Sequence, residues 1–201
     1  MKYLYNYAII VICVLIVMYI QYHVISENYV TQISNVDNKP YQVLNYDDSQ
    51  LAADELALIN DMGLLLTKFM LAKYTPDQYG YTLANRMKRK YRPDKLIENK
   101  GTGPDNTSYT TDKGKLVALC LREKETGEER IENYNTLVYV MVHEMSHIAS
   151  IVPQHKPEFW YNFEIILGDA VRAGLYTPID YRNTPVKYCS MVIDYSPLFD
   201  N

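Results

Sequence analysis

Three of the chain's four histidines fall within the stretch VMVHEMSHIASIVPQHKPEFW at positions 140–160. His143 and His147 are four residues apart, so on a helix their rings leave the same face and can occupy neighbouring vertices of a tetrahedral metal site. Glu144 stands beside the first of them. A zinc hydrolase needs those parts: imidazoles to hold the ion, and a carboxylate to take a proton from the water whose pKa the ion lowers to about 7. His155 follows as a third imidazole. The simpler alternative is a buried helix with hydrogen-bonded histidines, since His-Glu-x-x-His is short. The clustering of the histidines, with His23 far away near the amino terminus, favours the metal site.

The elements that must position these residues are legible as periodicity. Asn135 can cap a helix over 136–150 whose Leu137, Val140, Met141 and Ile148 bury it, and Pro153 ends it. A second helix runs over 157–176 with Phe159, Phe163, Ile166, Leu167 and Ala170 near one face. Upstream, Asp47, Asp48 and Ser49 offer a cap for a helix to about residue 74, with Leu58, Met62, Leu65 and Phe69 as its apolar stripe. Thr75-Pro76-Asp77-Gln78 reads as a capping box opening a helix toward residue 91. That helix ends in a basic run containing Arg86, Lys88, Arg89 and Lys90, which suits the negative end of the helix dipole better than a nucleic-acid patch. Short extended pieces follow at 95–97, 107–111 and 115–122, with Asp112-Lys113-Gly114 as a turn. The charged segment 123–132 reads as a solvated loop.

The amino-terminal part suggests a membrane. Residues 8–20 (AIIVICVLIVMYI) are uninterrupted and apolar, with tyrosines on either side, so residues 1–25 are expected to be a transmembrane anchor or else a signal peptide. Residues 26–48 read as a polar linker, leaving 49–201 as one domain. The few cationic residues flanking the apolar run place that domain on the lumenal or exterior side of the membrane, with the amino terminus cytosolic. Cys120 and Cys189 would pair in a lumenal domain or remain buried thiols in a cytosolic one. Asn106-Thr107-Ser108 is a glycosylation sequon. A net charge of -4 gives no global reason to expect a nucleic-acid partner.

The stretch from His143 to Trp160 resembles the WLM and SprT-like (Spartan-like) zinc metallopeptidases, whose pattern is H-E-x-x-H, a variable turn, and a third His followed by an aromatic residue. LANRMKRKYRPDKLIEN and TSYTTDKGKLVALCLR look like that family's preceding helix, strand and hairpin. The resemblance covers about residues 80 to 165. It implies a compact α+β zincin-like fold of the minigluzincin or metzincin kind, with one catalytic zinc ion and endopeptidase activity on proteins or peptides. Carried over, His143, His147 and His155 become zinc ligands and Glu144 the general base. The eight-residue step from His147 to His155 is longer than the tightest family spacing. A thermolysin-type site would instead take an acidic ligand, Glu164 or Asp169, from the following helix. Two other readings stand beside the enzyme: a membrane or virion structural protein that keeps the fold without turnover, and a protease acting on DNA-crosslinked proteins. A membrane-anchored version with this composition also looks like proteins of large DNA viruses.

Overall fold

The computed structural model describes residues 7, 10–19, 29–99, 107–122 and 131–200. Strands β1 (Tyr29–Ile33) and β2 (Pro40–Leu44) pair antiparallel. The segment expected as a linker therefore holds, in its described part, a hairpin. Its strands are half polar because one face meets solvent: Tyr41 and Val43 are buried while Pro40 and Gln42 are exposed. That period of two is what a one-sided strand requires. Strands β3 (Leu96–Glu98), β4 (Tyr109–Thr111) and β5 (Leu116–Leu119) complete a mixed sheet of order β1-β2-β3-β5-β4. The β2–β3 and β3–β5 pairs are parallel and β4–β5 is antiparallel, so β4 forms one edge. The turn between β4 and β5 runs through three positive φ values, 45° at Asp112, 56° at Lys113 and 104° at Gly114. At Gly114 a side chain would also approach the Lys90 carbonyl oxygen to 3.0 Å, so glycine is required there for two reasons.

Four long helices follow the expected order: α1 (Ser49–Lys73), α2 (Tyr79–Lys90), α3 (Tyr134–Ala149) and α4 (Pro157–Arg172). Helix α1 differs in the face it buries. Leu58 and Leu65 are 39% and 45% exposed, and the core side is instead Ala52, Ala53, Leu56, Ile59, Met62, Gly63, Leu66 and Met70. Small residues favour that face because they admit a neighbouring helix closely. A Cβ at Gly63 would lie 3.2 Å from both Met141 and Met145 of α3. The capping box before α2 forms in part: the Gln78 side chain accepts from the Thr75 N–H at 2.8 Å, and the helix then begins at Tyr79.

Helix α3 is the central element, with all but four of its 16 residues buried. It packs against α1, α2, α4 and β4. The expected buried faces of α3 and α4 are the observed ones, and Phe159, Phe163, Ile166, Leu167 and Ala170 are all in the core. A buried ion cluster ties α1 to the sheet. Glu98 accepts from Arg122 Nε at 2.7 Å and from the Leu44 N–H at 2.8 Å, while the other arm of Arg122 grips Asp48. Asp48 occupies the N-cap position but spends its carboxylate on Arg122 rather than on the helix.

The expected transmembrane helix in front of this α+β domain is not borne out. No helix among the described residues is long and apolar enough to cross a membrane. Of the expected anchor, residues 7 and 10–19 are described, and they are helical. The single-pass placement with a lumenal or exterior domain loses its basis with it. The rest of the expected anchor, and Asn106 of the sequon, lie outside the described residues.

A second, two-stranded sheet closes the chain: β6 (Val186–Tyr188) and β7 (Met191–Ile193). Cys189, in the turn between them, forms a disulfide with Cys120 at the end of β5, across 69 residues of sequence. Closing so long a loop restricts the unfolded chain, so Cys189→Ser is expected to lower the unfolding free energy by about 2 to 4 kcal/mol. Urea denaturation of the oxidised protein and the variant measures the difference.

Candidate metal centre

Helix α3 starts where Asn133, two residues before the expected cap Asn135, accepts the Asn135 N–H on its side chain at 2.9 Å. Ten residues on, His143 and then His147 emerge on the face toward β4 and the open surface. Their Nε2 atoms lie 3.2 Å apart, and His155 Nε2 lies 3.0 Å from that of His143. The three ring centroids form an equilateral triangle of side 4.9 Å. Tetrahedral ligation at about 2.0 to 2.1 Å per nitrogen sets ligand nitrogens about 3.3 Å apart. The donor set therefore fits zinc. A neutral imidazole offers one donor and one acceptor, so three Nε2 atoms meeting at one point cannot all satisfy one another, whereas three lone pairs facing a cation are satisfied together.

The return of the chain from α3 to α4 delivers His155, and polar contacts fix it. Glu158 accepts from the Ile151 N–H at 2.8 Å and from the Val152 N–H at 3.3 Å. Lys113 donates to the Val152 carbonyl at 2.9 Å, and Arg86 donates to the Ala149 carbonyl at 2.9 Å. Lys113 also donates to the His147 carbonyl at 3.4 Å, so both cations cap the carboxy end of α3, where orphan carbonyls and the helix dipole favour positive charge. Arg86 of the basic run is accordingly turned to another helix than its own. Asn162 donates to Ser150 Oγ at 2.8 Å. Pro157 occupies the first turn of α4, as its missing N–H permits.

Aromatic rings fill the space behind the imidazoles. Phe159 stacks on His147 at 4.3 Å and meets His143 edge-on at 4.8 Å, and Trp160 stacks on His155 at 5.5 Å. Burial, with two imidazoles beside it, drives His143 well below the ordinary histidine pKa. Burial, with His155 and Lys113 nearby, lowers His147 to about 4, and burial lowers His155 as well. Each shift favours the neutral imidazole, the state that ligates a metal.

Comparison with known proteins gives relatives from viruses. The chain is 32% identical over 198 residues to the uncharacterized protein R325 of Acanthamoeba polyphaga mimivirus, covering 94% of each chain. The chain belongs to the R325 family. Protein 136R of Invertebrate iridescent virus 6 is 25% identical over 135 residues, 54% of this chain and 75% of that one. Protein 042R of Invertebrate iridescent virus 3 is 34% identical over 88 residues, 43% of this chain and 52% of its own. No protein-family model and no solved structure matches.

In this member of the R325 family, Glu144 sits beneath the histidines, 3% exposed. Burial pushes its carboxyl up to about 7, opposed by the neighbouring Thr110 hydroxyl. Its Oε2 has no hydrogen-bond partner among the described residues. Above it opens a cleft of about 770 Å³, lined in part by His143, Glu144, His147 and His155. A buried carboxylate that lines the cleft beside three imidazoles is placed to accept a proton or a hydrogen bond.

The acidic alternatives for the third ligand are elsewhere. Glu164 is exposed on α4, and Asp169 is buried in ion pairs with Lys73 and with Arg172 at 2.9 Å. Among the described residues, the group able to hold a metal is His143, His147 and His155. Tyr188 also lines the cleft, and its hydroxyl is engaged by Ser108 Oγ and the Cys120 carbonyl. Tyr176 and Tyr181 pack around Tyr139 in the core, and Arg182 pairs with Asp200. The sequence reading missed Lys113, Glu158 and the β6–β7 hairpin. An acidic residue directly after Pro157 was the available signal for Glu158, since the first turn of a helix favours one.

His155→Ala is expected to lower zinc affinity severely, while Glu164→Ala leaves it unchanged. Asp169→Ala is expected to retain the metal but to cost about 1 to 3 kcal/mol of stability, because Lys73 and Arg172 lose a shared buried acceptor. Metal analysis after dialysis and thermal unfolding of the three variants separate these outcomes.

Proposed function

We propose that this protein is a zinc-dependent metalloendopeptidase. The observation that carries the reading is the triangle of His143, His147 and His155 Nε2 atoms at 3.0 and 3.2 Å separations, with a buried, partly unpartnered Glu144 beside it at the floor of an open cleft. Zinc bound there supplies Lewis-acid polarisation of a carbonyl and a water acidic enough to attack it near neutral pH. The chain's own residues do the rest. His143, His147 and His155 would hold the ion through three nitrogens, a ligand number that suits a catalytic rather than a structural site.

Glu144 would accept a proton from a water bound there and return it to the leaving amine. A carboxyl raised to about 7 is well matched to both halves of that task at neutral pH. The substrate segment has a natural support in β4, an edge strand whose residues Tyr109 and Thr110 line the cleft. A free strand edge binds an extended peptide through main-chain hydrogen bonds. The combination supports hydrolysis within an unfolded or flexible polypeptide rather than of a free amino-acid derivative.

Glu144→Gln is expected to keep stoichiometric zinc and to lower peptide hydrolysis by about 100- to 10,000-fold, since the carboxylate moves protons and does not ligate. The assay is digestion of a mixed peptide library by zinc-loaded protein with product sequencing, alongside metal analysis. Wild-type protein that holds zinc but cleaves nothing would leave the non-enzymatic alternative standing. Near-normal turnover in the Gln variant would overturn the role given to Glu144.

A further inference from the structure

The two walls of the cleft are chemically unlike. One is the β4 edge with its flanking residues, which present Ser108, Thr110, Asp112 and Lys113. The other is strand β7, which presents Met191, Val192 and Ile193, with Trp160 of α4 also lining the cleft. Met191 and Val192 are 47% and 51% exposed, so this wall keeps apolar surface in water next to the histidines. Covering such surface with an apolar group is favourable without any directional contact.

The wall is also fixed in place. Cys189 in the hairpin turn is bonded to Cys120, the Tyr188 hydroxyl lies 2.6 Å from Ser108 Oγ and donates to the Cys120 carbonyl at 2.7 Å, and the Cys189 N–H donates to Glu132 Oε1 at 3.1 Å. These contacts fasten the hairpin to the end of β5 and to the residue before β4. The spacing between the polar wall and the apolar wall is thereby set by the fold. Asp194, directly after β7, adds a negative charge to the lining and disfavours an acidic group beside it.

We propose that Met191 and Val192 are specificity-determining residues, selecting an extended peptide that carries a bulky, uncharged apolar side chain next to the bond held over His143 and Glu144. The backbone of such a peptide lies toward β4 and the side chain toward β7. This inference rests on the metallopeptidase reading and names its substrate class.

The test uses probes that need a bound zinc ion but no turnover. Acetohydroxamate, N-acetyl-leucine hydroxamate and N-acetyl-aspartate hydroxamate are titrated calorimetrically into the zinc-loaded full chain. The leucine probe is expected to bind at least about tenfold more tightly than the aspartate probe, in line with what an apolar subsite discriminates. In Met191→Lys/Val192→Lys the order should reverse, with zinc content and acetohydroxamate affinity unchanged. Should the double variant lose zinc, Val192→Thr, which keeps the shape and adds a hydroxyl, should still narrow the preference for leucine. Equal binding of the two amino-acid probes to the wild type, or an order that survives the substitutions, overturns the proposal. Absence of zinc and of acetohydroxamate binding would instead defeat the metal-centre reading itself, a result distinguishable by metal analysis alone.

Discussion

The site depends on how the chain is held between the end of α3 and the start of α4. His143 and His147 share one helix face by the geometry of the helix, but His155 reaches them only if residues 150–156 follow one path. Glu158 binds two N–H groups of that path, Lys113 and Arg86 bind carbonyls at its beginning, and Asn162 holds the Ser150 hydroxyl. The contacts come from α4, from the β4–β5 turn and from α2. A short segment with no regular structure thus has its backbone groups satisfied by three separate elements, which is what a buried or constrained loop requires.

The same arrangement connects the three histidines to the cleft wall. Lys113 belongs to the turn of positive φ values that ends β4, and it reaches the carboxy end of α3. The edge strand β4 and the helix carrying the histidines are therefore joined by one side chain, while Gly114 lets the turn pass close to the Lys90 carbonyl. On the far side the Cys120–Cys189 bond fastens the β6–β7 hairpin to the same sheet. Sheet, helix and hairpin are held at fixed separations by contacts that are few and specific, around a core whose packing is largely apolar.

Where burial is two-sided or strongly periodic, the structure matches what the sequence predicts: the apolar faces of α3 and α4, the two short strands around the 112–114 turn, and the position of Pro157 all appear as expected. The sequence misleads where the pattern is weak. The β1–β2 hairpin carries apolar residues on one face only and so resembled a linker. Helix α1 is apolar nearly all round, and the face that packs is chosen by Ala52, Ala53, Ala57 and Gly63, whose small size permits close approach to neighbouring elements. The apolar run near the amino terminus suggests a span by composition, but no described helix is both long and apolar enough to cross a membrane.

By itself the sequence determined the local chemistry: two imidazoles and a carboxylate placed by helical spacing, a third imidazole before a helix-starting proline, and the amphipathic faces that bury the helices carrying them. Those features depend on residues close together in the chain, where backbone geometry alone relates one side chain to the next. Only the tertiary structure decided that His155 rather than Glu164 or Asp169 joins the pair, because Asp169 is claimed by Lys73, 96 positions away, and Glu164 faces solvent. It also decided that Cys120 and Cys189 pair and that β7 faces the histidines. Such pairings join residues far apart in sequence, and packing selects them from many partners that spacing alone leaves equivalent.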